Sequence, residues 1–243
     1  MKNTRNAIML GLLLCSTILL KAQSTEEVLS KHQSAMGSPE KWAAVKSLVM
    51  KNKFSVQGMD IESKTSILIG QGFRTDVEVM GNKIITAIQG ETGWMMRPAM
   101  MGGTGQPEEM PTDQVKMAAS QKNIGSTLII AQKEGAQIEL VSKEKLDGAD
   151  VYLLKVTKAN GDESQVYVSA ATYFIVKVTG KLKANGQEID TEVNYSNYKA
   201  LDGLYFPYTM ETASPMGGMM TVDTISIEIN PSLEASIFAK PTK

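Results

Sequence analysis

Apolar residues recur at helical spacing in the segment that follows residue 23. A helix over residues 24–36 is predicted by five residues at three- and four-residue intervals, Val28, Leu29, His32, Ala35 and Met36. Gly37 ends this helix, because glycine is common just past a helix C-terminus. Ser38 and Pro39 then begin a short second helix as N-cap and first helical residue, with Trp42 as its apolar anchor.

After residue 47 the pattern becomes that of β-strands joined by tight turns. Segments of strand character are separated by Gly, Asn-Gly or Asp-Gly, which are strong hairpin signals. The predicted strands cover residues 48–57, 61–69, 73–80, 83–89, 93–97, 137–145, 151–158, 164–169, 173–183, 188–198, 204–213 and 220–229. Residues 112–134 are predicted to be helical with a break near residues 123–125, and residues 232–239 to form a final helical turn.

The spacing of these strands indicates the fold class. Turn signals recur every 8–12 residues or so, which suits hairpins and leaves no room for crossover helices, so the sheet is expected to be antiparallel. About a dozen twisted strands curl a sheet, and its apolar inner face needs the helices as a cover. We predict one mainly β domain over residues 23–243, a large curled antiparallel sheet that forms an unclosed half-barrel beneath a helical plug or lid.

The first 22 residues have the pattern of a cleavable signal peptide. Lys2 and Arg5 precede an apolar run over residues 7–20, which is shorter than the roughly 20 residues needed to span a bilayer, and Ala22 occupies the cleavage position. This pattern predicts export to the periplasm. The alternative is a lipoprotein acylated at Cys15, which Leu14 disfavours because the lipoprotein peptidase prefers a small residue at that position.

Charge and reactive residues exclude several classes of function. Three of the 25 basic residues lie in the leader, so the mature chain has 22 basic and 26 acidic side chains, a net charge of −4. That balance argues against nucleic acid as a partner. The only histidine, His32, lies on the apolar face of the first helix, where we interpret it as partly buried packing, and the only cysteine, Cys15, lies in the leader. Without a nucleophile–histidine pair, a nucleotide-binding motif or metal-ligand spacing, the sequence predicts a protein that is not an enzyme, with no catalytic residue, cofactor or metal site.

Methionine is frequent and clustered. Of 16 methionines, one group lies in residues 95–101 beside Trp94 and another in residues 216–220, and both groups adjoin glycines. Three interpretations stay open: the flexible thioethers line a cavity for variable apolar ligands, they fill gaps in the core, or they bind Cu(I) as soft ligands. Copper sites usually combine Met with His or Cys, which both groups lack.

Several motifs resemble the periplasmic lipoprotein carriers of the LolA/LolB type. These are GFRTDVE at residues 72–78 and GETGW at residues 90–94 with the following Pro98. LDGADVY at residues 146–152, YSNY at 195–198 and DGLYFP at 202–207 are similar to outer-membrane lipoprotein-sorting relatives in the same superfamily. The chain departs from the family pattern at Glu91 and Thr92, which replace an Asp directly before the glycine, and in a longer loop after Pro98.

The resemblance implies an unclosed β-barrel that holds acyl chains beneath a helical lid. In such carriers a strand arginine hydrogen-bonds the lid, and Arg74 matches its position, so we expect Arg74 to be the lid latch. The expected lipid-lining residues are Trp42, Phe54, Phe73, Trp94, Met95, Met96, Met100 and Met101.

The resemblance also implies the partners of the protein. They are acyl chains of a lipid or lipoprotein, an inner-membrane donor and an outer-membrane receiver, with transient membrane contact by a monomer. Two other functions stay open, a non-enzymatic periplasmic sensor or adaptor on the same scaffold and a methionine-based Cu(I)-binding protein.

Overall fold

The computed structural model describes residues 23–56, 58–184, 187–214 and 217–242. The signal peptide predicted over residues 1–22, the predicted Asn185-Gly186 turn and Met216 lie outside them. The helices are α1 (Thr25–Met36), α2 (Pro39–Ala44), α3 (Thr112–Ala118) and α4 (Thr127–Lys133), and 3-10 turns cover Ala99–Met101, Ala119–Lys122 and Ala235–Phe238. The strands are β1 (Ser47–Val56), β2 (Met59–Leu68), β3 (Gly72–Val79), β4 (Asn82–Gln89), β5 (Thr92–Met96), β6 (Glu108–Glu109), β7 (Gln137–Leu146), β8 (Ala149–Thr157), β9 (Glu163–Ser169), β10 (Ile175–Ala184), β11 (Gln187–Leu201), β12 (Leu204–Ala213) and β13 (Met219–Ile229).

All of these strands form one antiparallel sheet. Its order is β6-β5-β4-β3-β2-β1-β13-β12-β11-β10-β9-β8-β7, so the chain builds outward from β1 in one direction and returns through β13 in the other. β6 and β7 are the two edges, and within the described residues they do not pair with each other, so the sheet is not closed into a barrel. The predicted mainly β half-barrel with a few helices is confirmed.

Tight turns fix the register of the hairpins. Asp147-Gly148 and Asp202-Gly203 both have positive φ at the two central positions, as two-residue hairpin turns require. Met80-Gly81 forms a third such turn, one residue earlier than the Gly81-Asn82 pair that the sequence suggested. Glycine therefore occupies the second position in all three turns.

The helical interruption between β6 and β7 is divided as predicted. α3 passes into the 3-10 turn Ala119–Lys122, and a separate helix begins after Ser126, whose side chain accepts a hydrogen bond from the Ile129 backbone N–H. The two-residue strand β6 was missed, because it depends on pairing with Trp94 and Met95 of β5 and has no hydrophobic period of its own.

The helices cover one face of the sheet, which we call the inner face. α1 and α4 pack on β8–β10 through a buried cluster that includes Val28, Leu128, Leu154 and Val166. Trp42 of α2 and Ile124 pack on a second cluster from β1, β2, β12 and β13, which includes Leu48, Ile67, Phe206 and Ile227. Between these two clusters the helices do not fill the space above the sheet.

Candidate functional site

A cavity of about 210 Å³ lies between the helices and the inner face of the sheet. Helix and loop residues form one wall, namely Met36, Trp42 and residues 123–127. The sheet forms the other wall through Leu48, Met50, Asn52, Ile67, Ile175, Tyr195, Tyr198, Tyr205, Phe206, Pro207, Met210, Thr224 and Ile227. An apolar cavity of about 150 Å³ accommodates benzene, so this one has room for about eight carbon atoms.

Trp42 is fixed as part of the helical wall by two contacts. Ser38 accepts a hydrogen bond from the Lys41 backbone N–H and Pro39 follows it, so the short helix α2 begins at a defined residue. The Trp42 indole N–H donates to the Met36 carbonyl at 3.2 Å, and its ring meets the edge of Phe206 with centroids 5.3 Å apart. The C-terminus of α1 and strand β12 therefore hold this side chain against the cavity.

His32 links helix α1 to the start of helix α4 and to Tyr173 through hydrogen bonds, so it does more than fill space in the core. It is 1% exposed, and its Nδ1 lies 2.7 Å from the Tyr173 carbonyl oxygen, so Nδ1 donates the hydrogen. In the neutral ring Nε2 accepts from the Ser126 hydroxyl at 2.6 Å, while Ser126 Oγ also caps α4. Burial lowers the pKa of His32, which favours this neutral arrangement.

Tyrosines add polar tips to the sheet wall without adding charge. The Tyr198 hydroxyl donates to the Ile175 carbonyl at 2.9 Å, and its ring stacks on Phe174 with centroids 4.3 Å apart. Burial raises the pKa of Tyr198 and of Tyr195, so both hydroxyls stay neutral near pH 7. Within the described part of the chain, no charged side chain lines the cavity. The site is an uncharged, mostly apolar space.

The predicted lining residues are distributed over the sheet. Trp42 lies in the cavity wall, and Phe73 packs beside Leu48 and Ile67 in the cluster below it. Phe54 is half-buried on β1, opposite Ile61 and Val222.

The other five predicted residues lie on β5 and the loop after it. Trp94 is buried on β5, Met96 packs beside it, and Met95 is half-buried opposite Thr86. Met100 and Met101 lie on an exposed 3-10 turn. Among the eight predicted residues, the structure brings Trp42 alone into the wall of this cavity, and the role of the set in binding a ligand stays a prediction.

Sequence reasoning missed most of the sheet wall. Ile175, Tyr195, Tyr205 and Met210 come from strands that are far apart in sequence from Trp42. The alternation of Ile225, Ile227 and Ile229 with Thr224, Ser226 and Glu228 predicts one buried face of β13, but this is wrong at the bulge, where Ile225 is exposed and Thr224 lines the cavity. The sequence also did not show which side chains of β10–β12 point inward, because the irregular pairing of β9 with β10 shifts the alternation locally.

Arg74 holds the C-terminal turn on the other face of the sheet. Its neighbour Phe73 points to the inner face, so strand alternation directs Arg74 to the outer face. Its guanidinium pairs with Asp76, with Nε 2.8 Å from Oδ2, and Nη1 donates to the Ile237 carbonyl at 2.8 Å. The same guanidinium lies 5.6 Å from the ring centroid of Trp94. These contacts join β3 and β5 to Ala235–Phe238, and the expected contact with a helical lid stays a prediction.

Four exposed methionines lie at one end of the sheet. Met80 is in the β3–β4 turn, Met219 begins β13, and Met100 and Met101 follow β5, each between 52% and 75% exposed. Because the strands are antiparallel, these turns and loops all lie at the end at which β1 finishes. This end therefore presents flexible apolar side chains to solvent.

Two further properties concern metals and membranes. Within the described residues, no group of three or more His, Cys, Asp and Glu side chains is arranged to hold a metal ion. None of the described helices is long and apolar enough to cross a membrane.

Fold and cavity together define an open antiparallel half-barrel with an uncharged apolar space beneath its helices. A LolA superfamily protein from Nitrosomonas europaea has this fold, with 14% identity, a TM-score of 0.58, and coverage of 90% of this chain and 99% of that one. A DUF1329 family protein from Desulfovibrio piger matches with 13% identity, a TM-score of 0.58, and coverage of 90% and 98%. A Vibrio parahaemolyticus domain described as outer membrane lipoprotein-sorting matches with 16% identity, a TM-score of 0.51, and coverage of 88% and 95%.

The chain thus has the fold of the LolA superfamily, as the motifs around Arg74 and Trp94 predicted. At these identities the likeness is one of fold. No protein-family model matches the sequence, and no curated protein matches it closely.

Proposed function

We propose that this protein is a non-enzymatic periplasmic carrier. It binds an acyl chain of a lipid or lipoprotein in the cavity and delivers it toward the outer membrane. The observation that supports this most directly is the apolar space beneath the helices, which the protein's own side chains leave unfilled. The likeness to a LolA superfamily protein and to a domain described as lipoprotein-sorting agrees with this proposal.

The size of the cavity sets how much free energy the burial of an acyl chain can contribute to binding. Burial of about eight CH₂ groups at ~0.8 kcal/mol each contributes about 6 kcal/mol before the cost of association. That gain suits reversible capture, in which a receiver that binds the chain more strongly takes it over. A carrier that buried a whole long chain would hold its cargo too firmly for passive release.

The partners follow from the same proposal. The protein receives its cargo from an inner-membrane donor and passes it to an outer-membrane receiver, acting as a monomer that touches the membrane transiently. Met80, Met100, Met101 and Met219 give one end of the sheet an apolar character that suits such contact. In this proposal Arg74 is the latch of a helical lid, a role that stays a prediction, because its observed partners are Asp76 and the C-terminal turn on the outer face.

Filling the cavity tests the proposal. Met210 lines the cavity and is half-buried, so Met210→Trp places a large ring in the space that the chain would occupy. We expect this variant, purified from its own periplasm, to lose co-purified lipid or lipoprotein in native mass spectrometry. Binding of the neutral polarity-sensitive dye 4-aminophthalimide, which has eight carbons, should weaken about tenfold or more.

Val141→Trp is the control, because Val141 is exposed on the edge strand β7 and does not line the cavity. It should bind lipid and dye as the wild type does. A wild-type protein that carries no lipid, but is purified with copper or with a protein partner, would contradict the carrier proposal. Copper would favour the methionine-based metal site, and a protein partner would favour the adaptor.

A further inference from the structure

One polar side chain of the cavity wall has a hydrogen-bonding atom that no other described protein group uses and that stays accessible. Asn52 of β1 is 8% exposed and lines the cavity beside Met50. The Thr224 hydroxyl of β13 donates to its Oδ1 at 3.1 Å, and its Nδ2 has no hydrogen-bond partner among the described residues. If the amide is turned over, Nδ2 donates to Thr224 and the oxygen is the free atom. In both orientations one polar atom of Asn52 is left for a ligand.

The position of Asn52 is unusual for a purely apolar site. Polar groups of a protein interior are normally paired, whereas the free atom of Asn52 has no partner in the described part of the protein and is reached from the cavity. The nearby buried hydroxyl of Thr65 follows this rule, because it lies 3.1 Å from the Thr75 hydroxyl. Asn52 shares its face of β1 with Leu48 and Met50, and a leucine there would fill the same space without the unpaired atom. A group that enters the cavity can therefore reach the free atom of Asn52 and form a hydrogen bond with it.

The chemistry of the wall restricts that group. No charged side chain lines the cavity within the described residues, so a buried carboxylate or phosphate would have no counter-ion and would be costly. A neutral acceptor or hydroxyl loses less on burial and regains a hydrogen bond from the amide.

The geometry points to Asn52 and Thr224 as a subsite for a neutral hydrogen-bonding group on the apolar chain of the cargo. An ester or amide carbonyl and a hydroxyl fit this description, whereas a free fatty-acid anion does not. This inference rests on the proposed carrier function and names the chemical class of its ligand.

Matched eight-carbon probes test the subsite, because the cavity has room for about eight carbons. Displacement of 4-aminophthalimide, an eight-carbon dye, from the full mature protein is measured with octane, 1-octanol and 2-octanone. Asn52→Leu keeps the size of the side chain and removes the amide. We expect its affinity for 1-octanol and 2-octanone to fall about fivefold relative to its affinity for octane.

Asn194→Leu is the control, because Asn194 precedes Tyr195 on β11 and so lies on the opposite face of the sheet from the cavity. It should leave all three affinities unchanged. If Asn52→Leu does not fold, Asn52→Ala is expected to change the octanol-to-octane ratio in the same direction.

The outcomes separate the subsite from the carrier function. An Asn52→Leu protein whose ratio of octanol to octane affinity equals that of the wild type would overturn the subsite and leave the cavity intact. A wild-type protein from which none of the three probes displaces the dye would overturn the carrier proposal as well.

Discussion

Because the chain has a single histidine, a change in its free energy of unfolding near pH 6 can be assigned to one residue. His32 is buried and hydrogen-bonded at both ring nitrogens, to the Tyr173 carbonyl and to the Ser126 hydroxyl. Protonation would turn Nε2 into a second donor, and Ser126 would then have to redirect its own hydrogen while it still caps α4. Burial already lowers the pKa of His32, so the folded protein resists this protonation.

The sign of the effect follows from proton linkage. The unfolded chain takes up a proton on His32 near pH 6.5, whereas the folded chain does so only at a lower pH. The stabilising contribution is thus fully present above about pH 6.5 and is lost as the pH falls toward the folded-state pKa. Within that window the free energy of unfolding should fall by at most about 1.4 kcal/mol per pH unit, the limit for a difference of one bound proton.

Urea unfolding between pH 7.5 and pH 5.5, followed by tryptophan fluorescence, measures this slope. His32→Gln is the control, because it removes the only histidine of the chain. It should be less stable at pH 7.5 by about 1–3 kcal/mol, from the lost hydrogen bonding, and nearly insensitive to pH in this window. His32→Gln keeps every carboxylate of the wild type, so the difference between the two slopes reports on His32.

A wild-type slope equal to that of His32→Gln would show that His32 is not held neutral by burial, and the reasoning would be refuted. The response also concerns the cavity, because Ser126 forms part of its wall. Acidification that loosens the His32–Ser126 contact is therefore expected to weaken dye binding in the wild type more than in the variant.

The remaining predictions concern the C-terminal turn. Gly72→Ala places a methyl group 2.5 Å from the Phe238 ring and should destabilise the fold by about 1–3 kcal/mol. Gly180→Ala, whose added methyl group has its nearest neighbour at 3.4 Å, should change the thermal midpoint little. Equal midpoints for the two variants would contradict the close packing of Phe238 on Gly72. Arg74→Leu removes the donor to the Ile237 carbonyl and should speed hydrogen exchange at the Ile237 and Ala239 amides about tenfold. Lys83→Leu, at an exposed position on β4, should leave this exchange unchanged. Protection that survives in Arg74→Leu would show that Arg74 does not hold the C-terminal turn.

Local chemistry in the sequence determined the elements of this fold. Asp147-Gly148 and Asp202-Gly203 predicted two hairpin turns because few other residue pairs adopt positive φ at both positions. Ser38-Pro39 predicted the start of α2, and the break between α3 and α4 was visible near Asn123. Each of these signals depends on a few consecutive residues.

The tertiary structure decided where the cavity lies and what lines it. Trp42, Asn52, Ile175 and Met210 line the same cavity although more than 160 residues of the chain separate the first from the last. Bulges, such as the one opposite Asn52 in β13, shift which side chains point inward, and that shift depends on pairing between distant strands. The methionine clusters were conspicuous in the sequence, yet whether a methionine lines a cavity or faces water depends on which surfaces the helices cover, and contacts between distant segments determine that coverage.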